Sequence, residues 1–154
     1  MTCQVNWTDI SYGAKAWEVA ANVNSSAVWI KSHWSHPAGF FAIAKLNGNK
    51  WETDETQGEG IISGMAVDPA GWPAFRGWSA KINFKKRGTW KKFPGCGLAL
   101  AMGRSFYKSD CKWRVKKYHK GGWQDLKIKA QSIATDQKDV WVVRRYEKDI
   151  FKYD

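Results

Sequence analysis

The chain has 154 residues, 44% of them hydrophobic, and a formal net charge of +11. That length folds as one domain with a substantial core, and no apolar run reaches the roughly 18 residues of a membrane-spanning helix. The opening Met1-Thr2-Cys3-Gln4-Val5-Asn6 has neither the basic nor the apolar region of a secretory signal, so a cytoplasmic location is expected, with non-classical secretion left open.

In chain order, a Trp-led segment returns four times: Trp7-Thr8-Asp9-Ile10, Trp51-Glu52-Thr53, Trp90-Lys91-Lys92-Phe93 and Trp123-Gln124-Asp125-Leu126. After Trp7 come a small-residue strand at 16–21, a turn at 22–26, a strand at 27–30, an insertion around His33-Trp34-Ser35-His36-Pro37-Ala38-Gly39 and a strand at 41–46. After Trp51 the order repeats as strands at 62–67, 72–75 and 81–84, with Asp68-Pro69-Ala70-Gly71 as the first turn. After Trp90 it repeats at 98–102, 105–108 and 114–118, and after Trp123 at 130–134, 140–143 and 150–153. β-Branched and aromatic residues suit these strands. Asn47-Gly48, Arg87-Gly88 and Gly121-Gly122 supply turns before each new Trp.

Self-similarity at intervals of 44, 39 and 33 residues marks a repeat architecture. Strands fill each unit, so the reading is all-β: a small β-propeller whose first strands crowd the axis and are therefore built of Ala, Gly and Ser. The expected organisation is a single domain over 1–154, with blades at about 11–53, 54–93, 94–126 and 127–154. The last blade ends at its third strand, so the N-terminal strand at 7–10 is expected to complete it beside 150–153 and remove an exposed edge. An open half-ring completed by dimerisation is the alternative.

These residues resemble the tectonin repeat. The best matches are Trp51 with Met65-Ala66-Val67-Asp68-Pro69-Ala70-Gly71, Trp90 with Phe93-Pro94-Gly95, and Trp123 with Ile133-Ala134-Thr135-Asp136, Val140-Trp141-Val142-Val143 and Ile150-Phe151-Lys152-Tyr153. The first repeat departs through its insertion, and the third has Phe106-Tyr107 where a Trp is usual. The resemblance implies a propeller that binds. Better-known members are lectins of microbial-surface glycans; others act in membrane-trafficking and cytoskeletal settings.

Charge divides the chain. Residues 1–80 carry 5 Lys or Arg against 7 Asp or Glu, a net of −2, whereas 81–154 carry 20 against 7, a net of +13. Such a field selects anionic partners without choosing among glycan, acidic protein, nucleic acid and membrane surface. The basic runs Lys85, Lys86 and Arg87, Lys91 and Lys92, Lys116 and Lys117, and Arg144 and Arg145 form the candidate anion or partner surface. Lys-rich strands also protect sheet edges. Lys112-Trp113-Arg114 and Lys117-Tyr118-His119 interleave charge with aromatics as single-stranded nucleic acid requires, but no nucleic-acid fold motif accompanies them.

The repeat tryptophans are expected to fill the wedges between blades. Trp34, Trp72 and Trp78 fall outside that pattern, and a Trp face with a few placed polar groups suits a shallow sugar site, so these three with Arg76 and Asn83 are the candidate ligand residues. His33 and His36 lack the four ligands of a structural metal site. No nucleophile motif, phosphate loop or persuasive acid pair points to an enzyme, and Asp54, Glu55 and Glu59 read as a solvated turn. No cofactor is expected. Three cysteines argue against a disulfide framework; Cys96 and Cys111 could meet across strands, but reduced thiols are the default. The leading functional expectation is a glycan-binding propeller acting through several weak sites, and the alternative is an interaction subunit docking an acidic protein or filament through its basic half.

Overall fold

The structure, a computed structural model, describes residues 12, 14–22, 24–35, 41–54, 61–136 and 138–153. These residues form fourteen β-strands and no helix. The first antiparallel meander comprises β1 (Ala16–Ala21), β2 (Val28–Ser35), β3 (Phe41–Asn47) and β4 (Lys50–Asp54). The second comprises β5 (Ile61–Val67), β6 (Pro73–Gly77), β7 (Lys81–Lys86) and β8 (Thr89–Cys96). The third runs through β9 (Ala99–Met102), β10 (Phe106–Ser109), β11 (Arg114–His119) and the first half of β12 (Gly122–Thr135). The second half of β12 then opens a fourth, with β13 (Val140–Arg144) and β14 (Ile150–Tyr153).

The link within β12 has a local cause. Trp123 faces Tyr118 and Asp125 faces Lys116, but the next pair is Lys129 with Arg114, so residues 126–128 form a bulge. Lys127 takes a left-handed φ of 62° there, and its N–H donates to the Asp125 carboxylate at 2.7 Å. A bulge bends a strand, which lets one strand end the third meander and begin the fourth.

Alternation of side chains across each strand then builds the core between meanders. In β5, Met65 and Val67 face the first meander with Trp29, Ile43, Phe75 and Trp90, while Ala66 faces the third. In β9, Leu100 and Met102 join Ile82, Phe84 and Phe106 between the second and third meanders, while Ala101 faces the fourth with Val115, Ile133, Val140 and Val142. Meanders packed face to face in succession, with their first strands β1, β5, β9 and β12 side by side, make the fold propeller-like. Small residues are required along those strands because they approach closely. A Cβ at Gly103, just after β9, would overlap the carbonyl oxygen of Asp136, just after β12.

The strands expected from sequence are present at nearly the expected places, and three points differ or fall outside. β2 runs through Ser35, so His33 and Trp34 continue a strand instead of starting a loop. The strand expected at 7–10, and the closure it would make beside β14, lie outside the described residues, as do His36, Glu55 and Glu59. Cys96 and Cys111 are disulfide-bonded, with Cα atoms 5.5 Å apart, where free thiols were the default. The cause is local: the Leu98 N–H donates to the Ser109 carbonyl at 2.7 Å, which draws the chain after β8 alongside the end of β10. Cys3 lies outside the described residues.

Candidate functional site

Three places gather chemistry. The first is the axial mouth, a cavity of about 260 Å³ lined by the C-terminal ends of β1, β5, β9 and β12. Asn22 fastens it: its amide donates to the carbonyls of Val67, at 3.0 Å, and Met102, at 3.1 Å, so one side chain joins three meanders. Asp136 stands on the rim. The backbone N–H groups of Asp139 and Lys138, at 2.7 and 2.6 Å, hold its carboxyl below the usual range. The rest of the lining among the described residues is mostly small and apolar.

The second place is the set of aromatic and polar residues singled out from sequence. Trp78 is exposed (59%) in the turn between β6 and β7. Trp72 sits at the other end of β6 and packs against Phe84, Phe106 and their neighbours. The five residues of β6 lie between them, six residue steps or about 20 Å of extended strand, so they do not share one sugar. Arg76, on β6, donates from Nη1 to Ser63 Oγ at 3.3 Å, and its Nε is buried with no acceptor among the described residues. Asn83 lies inside β7, 3% exposed. The Trp34 side chain is outside the described residues.

The third place is the basic half. Two outer hairpins of successive meanders, β7–β8 and β11–β12, turn through Arg87-Gly88 and Lys120-Gly121, all four residues at left-handed φ. Such turns match the twist of the flanking strands. Lys86, Arg87 and Lys91 stand exposed around Thr89, and Lys92 is also exposed. The other candidates are engaged. Lys85 is bonded to the Asp54 carboxylate and lies over the Trp90 ring, whose Nε1 donates to the same carboxylate at 3.0 Å. Lys116 pairs with Asp110 at 3.5 Å, and Lys117 lies over Tyr107 at 6.0 Å. Arg144 pairs with Asp149 at 2.8 Å and Glu147 at 3.6 Å. Arg145 stacks over Trp113, 4.2 Å from the ring centre.

Sequence reasoning missed Lys108. It lies on β10 facing the second meander and is 2% exposed. Its ammonium sits 4.1 Å from the Trp123 ring centre and donates to the Pro94 carbonyl at 3.4 Å. Burial, then the like charge of Lys116, push its pKa down to about 8, against a smaller opposing pull from Asp110. Around it an open pocket of about 270 Å³ is lined by Gly95, Lys112, Arg114, Lys116, Asp110 and the Cys96–Cys111 bridge. Burial would raise the Asp110 carboxyl, but the Arg114 side chain at 2.9 Å and the N–H groups of Arg114 and Lys112 hold it below the usual range. The signal in the sequence was the alternation Phe106, Lys108, Asp110 along one strand face, ending beside Cys111.

Among the described residues no group of three or more His, Cys, Asp and Glu is placed to hold a metal ion, and no helix is long and apolar enough to cross a membrane. No protein-family model matches the sequence, and no curated protein matches it. The chain is similar in fold to a solved structure described as YCF48 bound to D1 peptide. The TM-score is 0.67 at 16% sequence identity, over 90% of this chain and 50% of that one. The chain thus spans about half the length of that neighbour, and the likeness supports an all-β, propeller-like fold.

Proposed function

We propose that this chain is a propeller-type binding module, its four meanders acting as tectonin-like blades, that docks acidic protein segments on its cationic half. The observation that carries this reading is the recurrence of cationic outer hairpins on successive meanders, with Lys86, Arg87 and Lys91 exposed on one and Lys120 at the tip of the next. Lys86, Arg87 and Lys91 gather around Thr89, and a patch of like charges of this kind attracts an anionic segment and speeds its encounter. The likeness to a structure holding a bound peptide adds support for a protein partner.

A glycan-binding reading has one specific support: Trp78 is 59% exposed in the turn after β6, and an exposed tryptophan suits a shallow sugar site. A single comparison separates the two. Fluorescence anisotropy with a poly-glutamate peptide and with a panel of neutral glycans, on wild type and Trp78→Ala, is expected to show peptide binding that Trp78→Ala leaves within about twofold. Salt-resistant glycan binding abolished by Trp78→Ala, with no peptide binding, would replace the docking reading by the lectin one.

A further inference from the structure

The pocket beside the Cys96–Cys111 bridge has an electrostatic imbalance that packing does not explain. Lys108, Lys112, Arg114 and Lys116 line it, against Asp110 as the one acidic lining residue among the described residues. That carboxylate is already committed. It accepts from the Arg114 side chain at 2.8 and 2.9 Å, from Lys116 at 3.5 Å and from two backbone N–H groups. Lys108 has a different position. Its three ammonium protons meet one carbonyl oxygen at 3.4 Å and an indole face, although the residue is 2% exposed. The same indole carries a buried N–H with no acceptor among the described residues.

A buried ammonium is costly unless its charge is matched. The wall above it is shaped to stay open. Gly95 takes φ 86°, and a Cβ added there would stand 3.0 Å from the Lys108 Nζ. The disulfide fixes that wall to the turn holding Asp110 and Lys112. Lys108 and three further cationic side chains line the pocket, and its volume of about 270 Å³ admits a small oxyanion.

We propose that this cleft between the second and third meanders is a binding site for a single tetrahedral oxyanion, free phosphate or sulfate or the phosphoryl group of a modified side chain, held by Lys108 at its base with Lys112, Arg114 and Lys116 around it. The site is separate from the exposed hairpin row and does not rest on the docking reading. Binding restores a counter-charge to Lys108 and therefore draws its proton back. The lowered pKa of Lys108 gives the expected pH dependence: anion affinity is full below about pH 8 and declines above it as Lys108 loses its proton. The charged groups bearing on it are Lys116, Arg114, Lys112 and Asp110, with Asp125 opposite Lys116 on β12.

The test titrates the whole chain with inorganic phosphate, inorganic sulfate and O-phosphoserine, following the lysine ε-carbon resonances by NMR. Saturable shifts at Lys108, Lys112 and Lys116 are expected, and the affinity read at Lys112 and Lys116 is expected to weaken about tenfold or more in Lys108→Met. Because Lys108 is buried, Lys112→Met, at an exposed position, serves as a second variant and is expected to weaken binding by a smaller factor. Tighter phosphoserine assigns the site to a phosphorylated partner, and tighter inorganic ion assigns it to a free anion. The triple variant Lys86→Glu, Arg87→Glu, Lys91→Glu is expected to keep the site, so failure of the docking reading leaves this result standing. Shifts that grow linearly without saturation, or equal binding in both methionine variants, would overturn the proposal.

Discussion

Lys108 is 2% exposed, and its ammonium rests on an indole with one carbonyl oxygen as acceptor. Its pKa falls from 10.5 to about 8 in the folded chain. Below that value the group is charged folded and unfolded, and the folded state carries the desolvation cost. Between about 8 and 10.5 the unfolded chain holds a proton that the folded one has released, so this group makes stability rise with pH across that window. Lys108→Met, which keeps the stem and removes the charge, is therefore expected to be more stable than wild type near neutral pH, by up to about 3 kcal/mol. The gain should shrink as pH approaches 10.5. Urea unfolding of both proteins at neutral and alkaline pH measures it, and a variant less stable at both would contradict the account. Lys108 was not legible from sequence because Ser105-Phe106-Tyr107-Lys108 reads as an aromatic strand ending in a solvated lysine. Only the register, with Lys108 opposite Lys116 and Leu100, shows that it faces a neighbouring meander. Asn83 was similarly hidden. A polar residue near Arg76 in sequence suggests a ligand contact, whereas pairing with Phe75 puts it inside the sheet, 3% exposed.

At the scale of elements, most strands were legible because two signals agree: tryptophan recurrence and the small-residue strand that follows each one. The strand expected at 16–21 is β1 to the residue, and those expected at 41–46, 114–118 and 150–153 match within a residue. Links between elements were harder to read. The bulge at Lys127 depends on a left-handed φ in a residue that does not prefer it, so nothing in the local composition marks the passage from third to fourth meander. The disulfide escaped for a different reason: an odd count speaks to frameworks and says nothing of a single bridge. Cys96 ends β8 and Cys111 lies in the turn after β10, so the bond staples the second meander to the third across 15 residues. A closed loop of that size is worth about 3 kcal/mol. Replacing both cysteines by alanine, or adding reductant, is expected to lower stability by about that amount. Thermal unfolding with and without reductant checks it, and an unchanged midpoint together with free-thiol labelling of both cysteines would contradict it.

For the whole molecule, the charge division of the sequence survives folding in altered form. Lys85, Lys116 and Arg144 are taken up by Asp54, Asp110 and Asp149, so they hold meanders and turns together and contribute less to the outer field. Lys86, Arg87 and Lys91 stay exposed on one hairpin. The basic half therefore separates into cations paired within the structure and cations left exposed on an outer hairpin. Ion pairing of that kind depends on which strands face one another, which a run of lysines does not reveal. The docking account requires binding to weaken with ionic strength, because exposed charges are screened over about 8 Å at physiological salt. The most direct measurement is the affinity of an acidic peptide across a salt series, for wild type and for the triple variant Lys86→Glu, Arg87→Glu, Lys91→Glu. The account predicts a steep fall in wild-type affinity with salt, and a loss of about tenfold or more in the variant at low salt with a flatter salt dependence. Equal affinity of the two proteins across the series would contradict it.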